Sequence, residues 1–380
     1  MKTEMIITNA VIVMKSQVLR GSVHTVDGLI AAVDPARCAL PAAIDLEGDF
    51  LIPGLVETHT DNLEKHLVPR PGVLWPSPMA ALMAHDAQLS CAGITTVLDG
   101  IFLGSYQKYP LRRELVCASI DAIRSTRERA ICRCEHMIHL RCEVPEATLI
   151  DYFEPYVLDP LLKLVSLNDH TPGQRQWREM ETYKAYYQLK DKSDEFIADL
   201  INGHQKQQMK YAAGNRQAVA EICSARGITL ASHDDTRAED VLQAVSEGVT
   251  ISEFPTTLEA AQTARAYGLK IVAGAPNLVR GSSHSGNVSA QFLAASDLLD
   301  SLSSDYVPSG LLEAAFCLHR DLDYKLPDAI AKVSANPADM IGLHDRGEIT
   351  HGKRAVLLRV SMVENLPIVR TVWRGGKRVS

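Results

Sequence analysis

No segment of this 380-residue chain comes near the roughly 18 uninterrupted apolar residues of a membrane-spanning helix. The opening Met1-Lys2-Thr3-Glu4 carries an acid and leads into no apolar core with a cleavage site, so a cytoplasmic protein is expected, with no membrane partner. An excess of positive charge is also missing. With 39 Lys and Arg against 46 Asp and Glu, the net charge is −7, which argues against a general nucleic-acid binder, because such proteins neutralise phosphates with clustered basic surface. Any anion must then be held by a few local cations. The eight cysteines include no Cys-x-x-Cys pair, and a chain of this size needs no disulfide framework, so reduced thiols are expected. No glycine-rich phosphate loop follows the strand beginning at Leu55, which weighs against an open doubly wound sheet.

What is present suits a large soluble enzyme: 46% hydrophobic and 22% charged residues leave ample apolar surface for a core. Short β-like runs fill Met5 to Val33, with Asp27-Gly28 as a hairpin turn, and the same texture returns from Ala355 to Trp373. Between these ends, apolar strands that finish in polar residues alternate with helical stretches. Strands are expected at Leu55–Asp61, Thr95–Asp99, Met137–Glu143, Leu164–His170, Ile228–Asp234, Val249–Phe254, Lys270–Ala275 and Leu302–Tyr306. Eight such units predict an α/β fold, a closed (β/α)8 barrel over 51–345, with a small β domain built from 1–50 and 346–380. The stretch 171–226, rich in Lys, Gln, Tyr and Glu, is expected to be a helical excursion over the barrel mouth.

Chemistry is expected at the strand ends. His59 and Asp61 lie two apart, so a strand points both to one side, where they can share a cation. Asp99, Glu143, His170, His233 with Asp234, Glu253 and Asp305 end the later strands, and a barrel makes such ends converge. Asp99 and Glu253 have a plainer reading as helix caps, and His170 as a hydrogen-bonded wall residue. Histidine and carboxylate ligands without thiolates suit zinc, manganese, iron or nickel, and two ions can share a bridging ligand. Glu143 is the candidate bridge, with a carbamylated Lys163 as the alternative.

A second constellation, Gly274 to Asn287, follows the seventh strand, where barrel phosphate sites often form. Its glycines admit an anion closely, and Asn277, Arg280, Ser283, His284 and Asn287 supply polar groups for a polyphosphate, although such loops are commonly only connections. Lys65 and Arg70 after the first strand, and Arg175 after the fourth, offer further cations around the same mouth.

The run Pro53-Gly54-Leu55-Val56-x-x-His59-Thr60-Asp61 between split β ends resembles the amidohydrolase superfamily, with Asp61 where a second histidine usually stands. Leu140-Arg141-Cys142-Glu143, Asn168-Asp169-His170, Ser232-His233-Asp234-Asp235, Glu253-Phe254-Pro255-Thr256-Thr257, Gly274-Ala275-Pro276-Asn277 and Ser303-Ser304-Asp305-Tyr306 narrow that likeness. Together they resemble the α-D-ribose 1-methylphosphonate 5-triphosphate diphosphatase family of phosphonate catabolism, across nearly the whole chain. The resemblance implies hydroxide attack at the α-phosphorus of a ribose 5-triphosphate and release of pyrophosphate. It further implies a divalent-metal site, of two zinc or manganese ions, formed by His59, Asp61, Glu143, His170, His233 and Asp305, with Asp305 as base. A phosphorylated ribose is the expected partner, and a homo-oligomer is compatible with it. The competing readings are a deacetylase or cyclic amidase of the same superfamily, or a hydrolase of another triphosphate.

Overall fold

The computed structural model describes residues 3–104, 112–283 and 285–380. Eight strands form one parallel sheet in chain order: β1 Leu55–Thr60, β2 Ile94–Leu103, β3 Glu135–Glu143, β4 Leu162–Asn168, β5 Thr229–His233, β6 Ile251–Glu253, β7 Lys270–Gly274 and β8 Ser301–Ser303. Each expected strand is present, and helices separate them as the alternation predicts. Val56, Leu98, Met137, Leu164, Ala231, Ile251 and Val272, one from each of β1 to β7, pack together as an apolar floor inside the barrel. That floor leaves only the opposite end open to chemistry.

The ring closes between β1 and β8 with little backbone pairing. A single bridge joins Thr60 to Asp305, and Thr60 Oγ1 donates to the Asp305 carbonyl at 2.7 Å. Below it the fully buried Glu57 carboxyl accepts from Ser303 Oγ at 2.8 Å, Ser304 N at 2.6 Å and His59 N at 2.7 Å. Burial pushes Glu57 up to about 7, against the lowering pull of those bonds. A side-chain clasp thus replaces a ladder at this seam.

Both chain ends build a mixed sheet. Glu4–Val13 pairs with Val18–Val26, which pairs with Leu29–Asp34. Asp27 and Gly28 between the last two both have positive φ, 51° and 80°, as the turn type that matches strand twist requires. Phe50–Pro53 joins this sheet to Val356–Val363 and continues through Gly54 into β1. A Cβ on Gly54 would meet the Thr95 side chain at 2.3 Å and Val356 at 2.6 Å, so the junction admits no side chain. The eight cysteines are all unpaired, and among the described residues no helix is long and apolar enough to cross a membrane.

The segment after β4 is helical, with the 33-residue helix Asp194–Arg226 as its longest part. Ser193 caps that helix at its start and Gly227, with φ 65°, ends it.

Outside the barrel wall, helix Pro78–Cys91 presses two polar residues against β2 and β3. His85 Nε2 donates to Asp99 Oδ1 at 2.8 Å, and His136 bridges Asp99 at 2.7 Å and Asp86 at 3.3 Å. Burial pushes Asp99 up, but the His136 charge and the hydrogen bonds of both histidines outweigh it and hold the carboxyl at about 2. Burial opposes the charge on His136 in turn, yet Asp99 and Asp86 raise it to about 9. This is a buried imidazolium held between two carboxylates.

A candidate active site at the barrel mouth

The open end of the barrel forms a cavity of about 980 Å³. His59 at the end of β1 and His233 at the end of β5 stack with ring centroids 5.2 Å apart, and His170, beyond β4, lies 5.9 Å from His233. Glu253 at the end of β6 fixes how the first two rings turn. Its Oε2 accepts from His59 Nδ1 at 3.1 Å and lies 3.4 Å from His233 Nδ1. A carboxylate only accepts, so both protons sit on Nδ1 and both Nε2 atoms present lone pairs, that of His233 3.5 Å from an Arg141 N–H. Burial holds each ring well below the usual histidine range, which keeps them neutral. Glu143 orients His170 likewise, accepting from its Nδ1 at 2.6 Å and its backbone N at 2.8 Å; burial opposes the charge on this ring, but Glu143 raises it above the usual histidine value.

The backbone is strained where these side chains are aimed. Asp234, Phe254 and Asp305, each just past a strand, have φ of 56°, 53° and 52°. Asp tolerates the left-handed region, whereas a bulky Phe does so at a cost of roughly 1–3 kcal/mol. The Phe254 turn has a visible result: its ring stands edge-on to His59 at 4.9 Å and to His233 at 5.4 Å, clamping both imidazoles.

Among the described residues, four His, Cys and carboxylate groupings lie close enough to hold an ion, and hydrogen bonding separates them. The His85–Asp99–His136 and Asp86–Cys134–His136 groupings are tied up in the buried network behind β2 and β3. His139 is engaged at both nitrogens, by the Thr58 carbonyl at 3.0 Å and Ser166 Oγ at 2.9 Å. At the mouth the position is reversed. Asp61 Oδ1, Asp234 Oδ2 and Glu253 Oε1 are buried without a hydrogen-bond donor, and the ligand atoms of His170, His233 and Asp234 lie within 4.8 Å of one another. Buried carboxylate oxygens that lack donors beside free imidazole nitrogens fit a divalent cation. Burial and the nearby Asp61 carboxylate push Asp305 up to about 7, while burial pushes Asp234 up to about 6.

His59, Asp61, His170, His233 and Asp305 all line this cavity, as do Lys65, Asn277, Arg280, Ser283 and Asn287. Glu143 stands behind His170 with both oxygens engaged and does not line it. Asn277 donates to the Val288 carbonyl and accepts from Ala290 N, both at 3.1 Å, so its amide shapes the loop. Arg280 is exposed at the lip. Arg175 is buried on Asp235 and Arg70 is exposed beside Val73; neither is brought to the cavity. His284 lies outside the described residues. Arg141, not singled out from the sequence, also reaches the mouth. Its signal was available: a lone charge within the apolar run Met137–Cys142, two residues before Glu143 and therefore on the same face.

Over 382 aligned residues the chain is 44% identical to α-D-ribose 1-methylphosphonate 5-triphosphate diphosphatase of Escherichia coli strain K12, covering 99% of this chain and 100% of that enzyme. Among solved structures, 5-methylcytosine deaminase from Klebsiella pneumoniae is similar with a TM-score of 0.65 at 15% identity, over 99% of this chain and 98% of that one. N-acetylglucosamine-6-phosphate deacetylase from Pasteurella multocida follows at 0.63 and 12%, over 99% and 100%. No protein-family model matches the chain. The structural likeness shows a shared fold, and the sequence identity goes further: the chain belongs to the α-D-ribose 1-methylphosphonate 5-triphosphate diphosphatase family.

Proposed function

We propose that this protein hydrolyses α-D-ribose 1-methylphosphonate 5-triphosphate, releasing pyrophosphate and leaving the ribose 5-phosphate with its phosphonate intact. The observation that carries this reading is one cavity lined by two unlike sets of groups: imidazole nitrogens with donor-free carboxylates, and Arg280, Ser283 and Asn287. The first set suits a cation and the second an anion, which is what a metal-dependent hydrolase of a polyphosphate requires.

In this reading His59, His170, His233, Asp61, Asp234 and Asp305 hold two divalent ions, zinc or manganese. When bound, the ions supply positive charge against phosphate oxygens and make a water acidic enough to react near neutral pH. Asp305 takes the proton of the attacking water, and its position at the end of β8 faces it into the cavity. Arg280, with Lys65 lining the same cavity, binds the phosphates that leave. Pyrophosphate is a stable anion and departs without a strong acid. The partner is thus a phosphorylated-ribose small molecule, and the enzyme works in the cytoplasm.

Three measurements test the reading. Chelation should abolish hydrolysis and added zinc or manganese should restore it. In ¹⁸O-water the label should appear in the ribose 5-phosphate and not in pyrophosphate; label in pyrophosphate would place the attack at the β-phosphorus and discard this chemistry. Arg280→Ala removes a charge-assisted contact of about 1.5–3 kcal/mol. Catalytic efficiency should therefore fall roughly ten- to a hundred-fold with metal content unchanged, and an unaffected variant would return the loop to a plain connection.

A further inference from the structure

On β3, side chains two apart share a face, so Met137 in the apolar floor is followed upward by His139, Arg141 and Glu143. Of these, Arg141 lines the cavity. A guanidinium this far from water ordinarily meets a carboxylate at about 2.7–2.9 Å. Here the closest acid oxygen, Asp61 Oδ2, is 3.9 Å away, and the remaining polar neighbour is His233 Nε2 at 3.5 Å, the outer limit of a hydrogen bond. Arg141 Nε is buried and has no acceptor, and the side chain is only 13% exposed. Other arginines of this barrel differ: Arg112 forks onto Glu64 at 2.6 and 3.1 Å, and Arg216 onto Glu247 at 2.8 and 2.6 Å. A desolvated cation without a short partner is costly.

The position of Arg141 says what that partner is. It lines the cavity between Asp61 and His233, among the groups assigned to the reaction and not in the Gly274–Asn287 loop. The Phe102 ring, 5.9 Å from the guanidinium carbon, backs it. Resting on the function proposed above, we propose that Arg141 is a catalytic residue that grips the phosphoryl group under attack. Its terminal N–H groups bind nonbridging oxygens of the α-phosphoryl, a match for the planar fork. As the water oxygen bonds to the α-phosphorus, the bond from that phosphorus to the bridging oxygen breaks. Pyrophosphate leaves with the bridging oxygen and its electron pair, and the water proton goes to Asp305. Arg141 keeps its own protons throughout; it offsets charge on oxygens that shift in the transition state.

The metal-loaded enzyme and its Arg141→Ala and Arg141→Lys variants should be compared on the triphosphate, with bound metal and melting temperature measured alongside. Arg141→Ala should lower kcat by roughly 10²–10³, more than it changes KM, at unchanged metal content. Arg141→Lys should recover part of the loss, and added guanidinium ion should restore activity to Arg141→Ala. Undiminished kcat in folded Arg141→Ala would overturn the proposal. So would a loss cured by extra metal, which would make Arg141 a positioning residue for Asp61. Wild-type enzyme that leaves the triphosphate intact would instead remove the function on which this inference rests.

Discussion

Asp305→Asn should cut turnover by roughly 10²–10⁴ while the fold and the bound metal persist. The substitution is chosen for what it keeps. Asp305 sits in left-handed backbone at φ 52°, a conformation that asparagine tolerates as well as aspartate and most other residues do not. The side chain keeps its size and one oxygen able to meet a cation, and loses only the capacity to take a proton. Its backbone bond to Thr60 Oγ1 at 2.7 Å is untouched. Single-turnover hydrolysis, metal analysis and circular dichroism on one preparation separate chemistry from binding and folding. Near-normal turnover in a metal-loaded variant would take Asp305 out of the proton-transfer step.

The second large effect is expected far from the mouth. Asp99→Ala strips the buried His136 imidazolium of its nearer counter-charge and leaves His85 Nε2 without an acceptor. Breaking one partner of a buried pair costs roughly 3–5 kcal/mol, which for a chain of this length unfolding as one unit is a melting shift of about 4–6 °C. The pH dependence has a definite sign. His136, raised to about 9, contributes stability that is complete below its ordinary value of 6.5 and is lost as pH rises through 9. Asp99, lowered to about 2, contributes stability present above 3.8 and lost as pH falls through 2. The gap between wild type and Asp99→Ala should therefore be widest between about pH 4 and 6.5 and shrink toward pH 10. Calorimetric scans at pH 6 and pH 10 showing the same gap would rule out the charged pairing.

The barrel was legible because each of its strands is a short apolar run closed by polar residues, and because helical texture separates them. The mixed sheet was legible for the converse reason, a hairpin signal at Asp27-Gly28 near one end of the chain and a matching β texture at the other. Convergence of His59, His170, His233 and Asp305 follows from strand ends alone. Other features depend on how a side chain finds its partner, which periodicity does not encode. Arg175 looks from the sequence like a cation beside a mouth, yet it folds onto Asp235. Asp99 reads as a strand-end carboxylate, but it faces outward to a histidine on helix Pro78–Cys91 and one on β3. Arg141 differs again: its place two residues before Glu143 put it on the face that reaches the mouth, but its eventual neighbours, Asp61 and His233, lie on other strands that periodicity does not bring to it.

The clasp between β1 and β8 changes how variation in this chain should be read. Glu57 and Ser303 would be scored as interior positions by any measure of depth, since both are fully buried. Yet they set the distance between the strand that delivers His59 and the strand that delivers Asp305. A substitution at either is a change of spacing between two reactive groups, transmitted across most of the length of the polypeptide. Kinetic loss without thermal loss at such positions would then be a displaced register and not a damaged core.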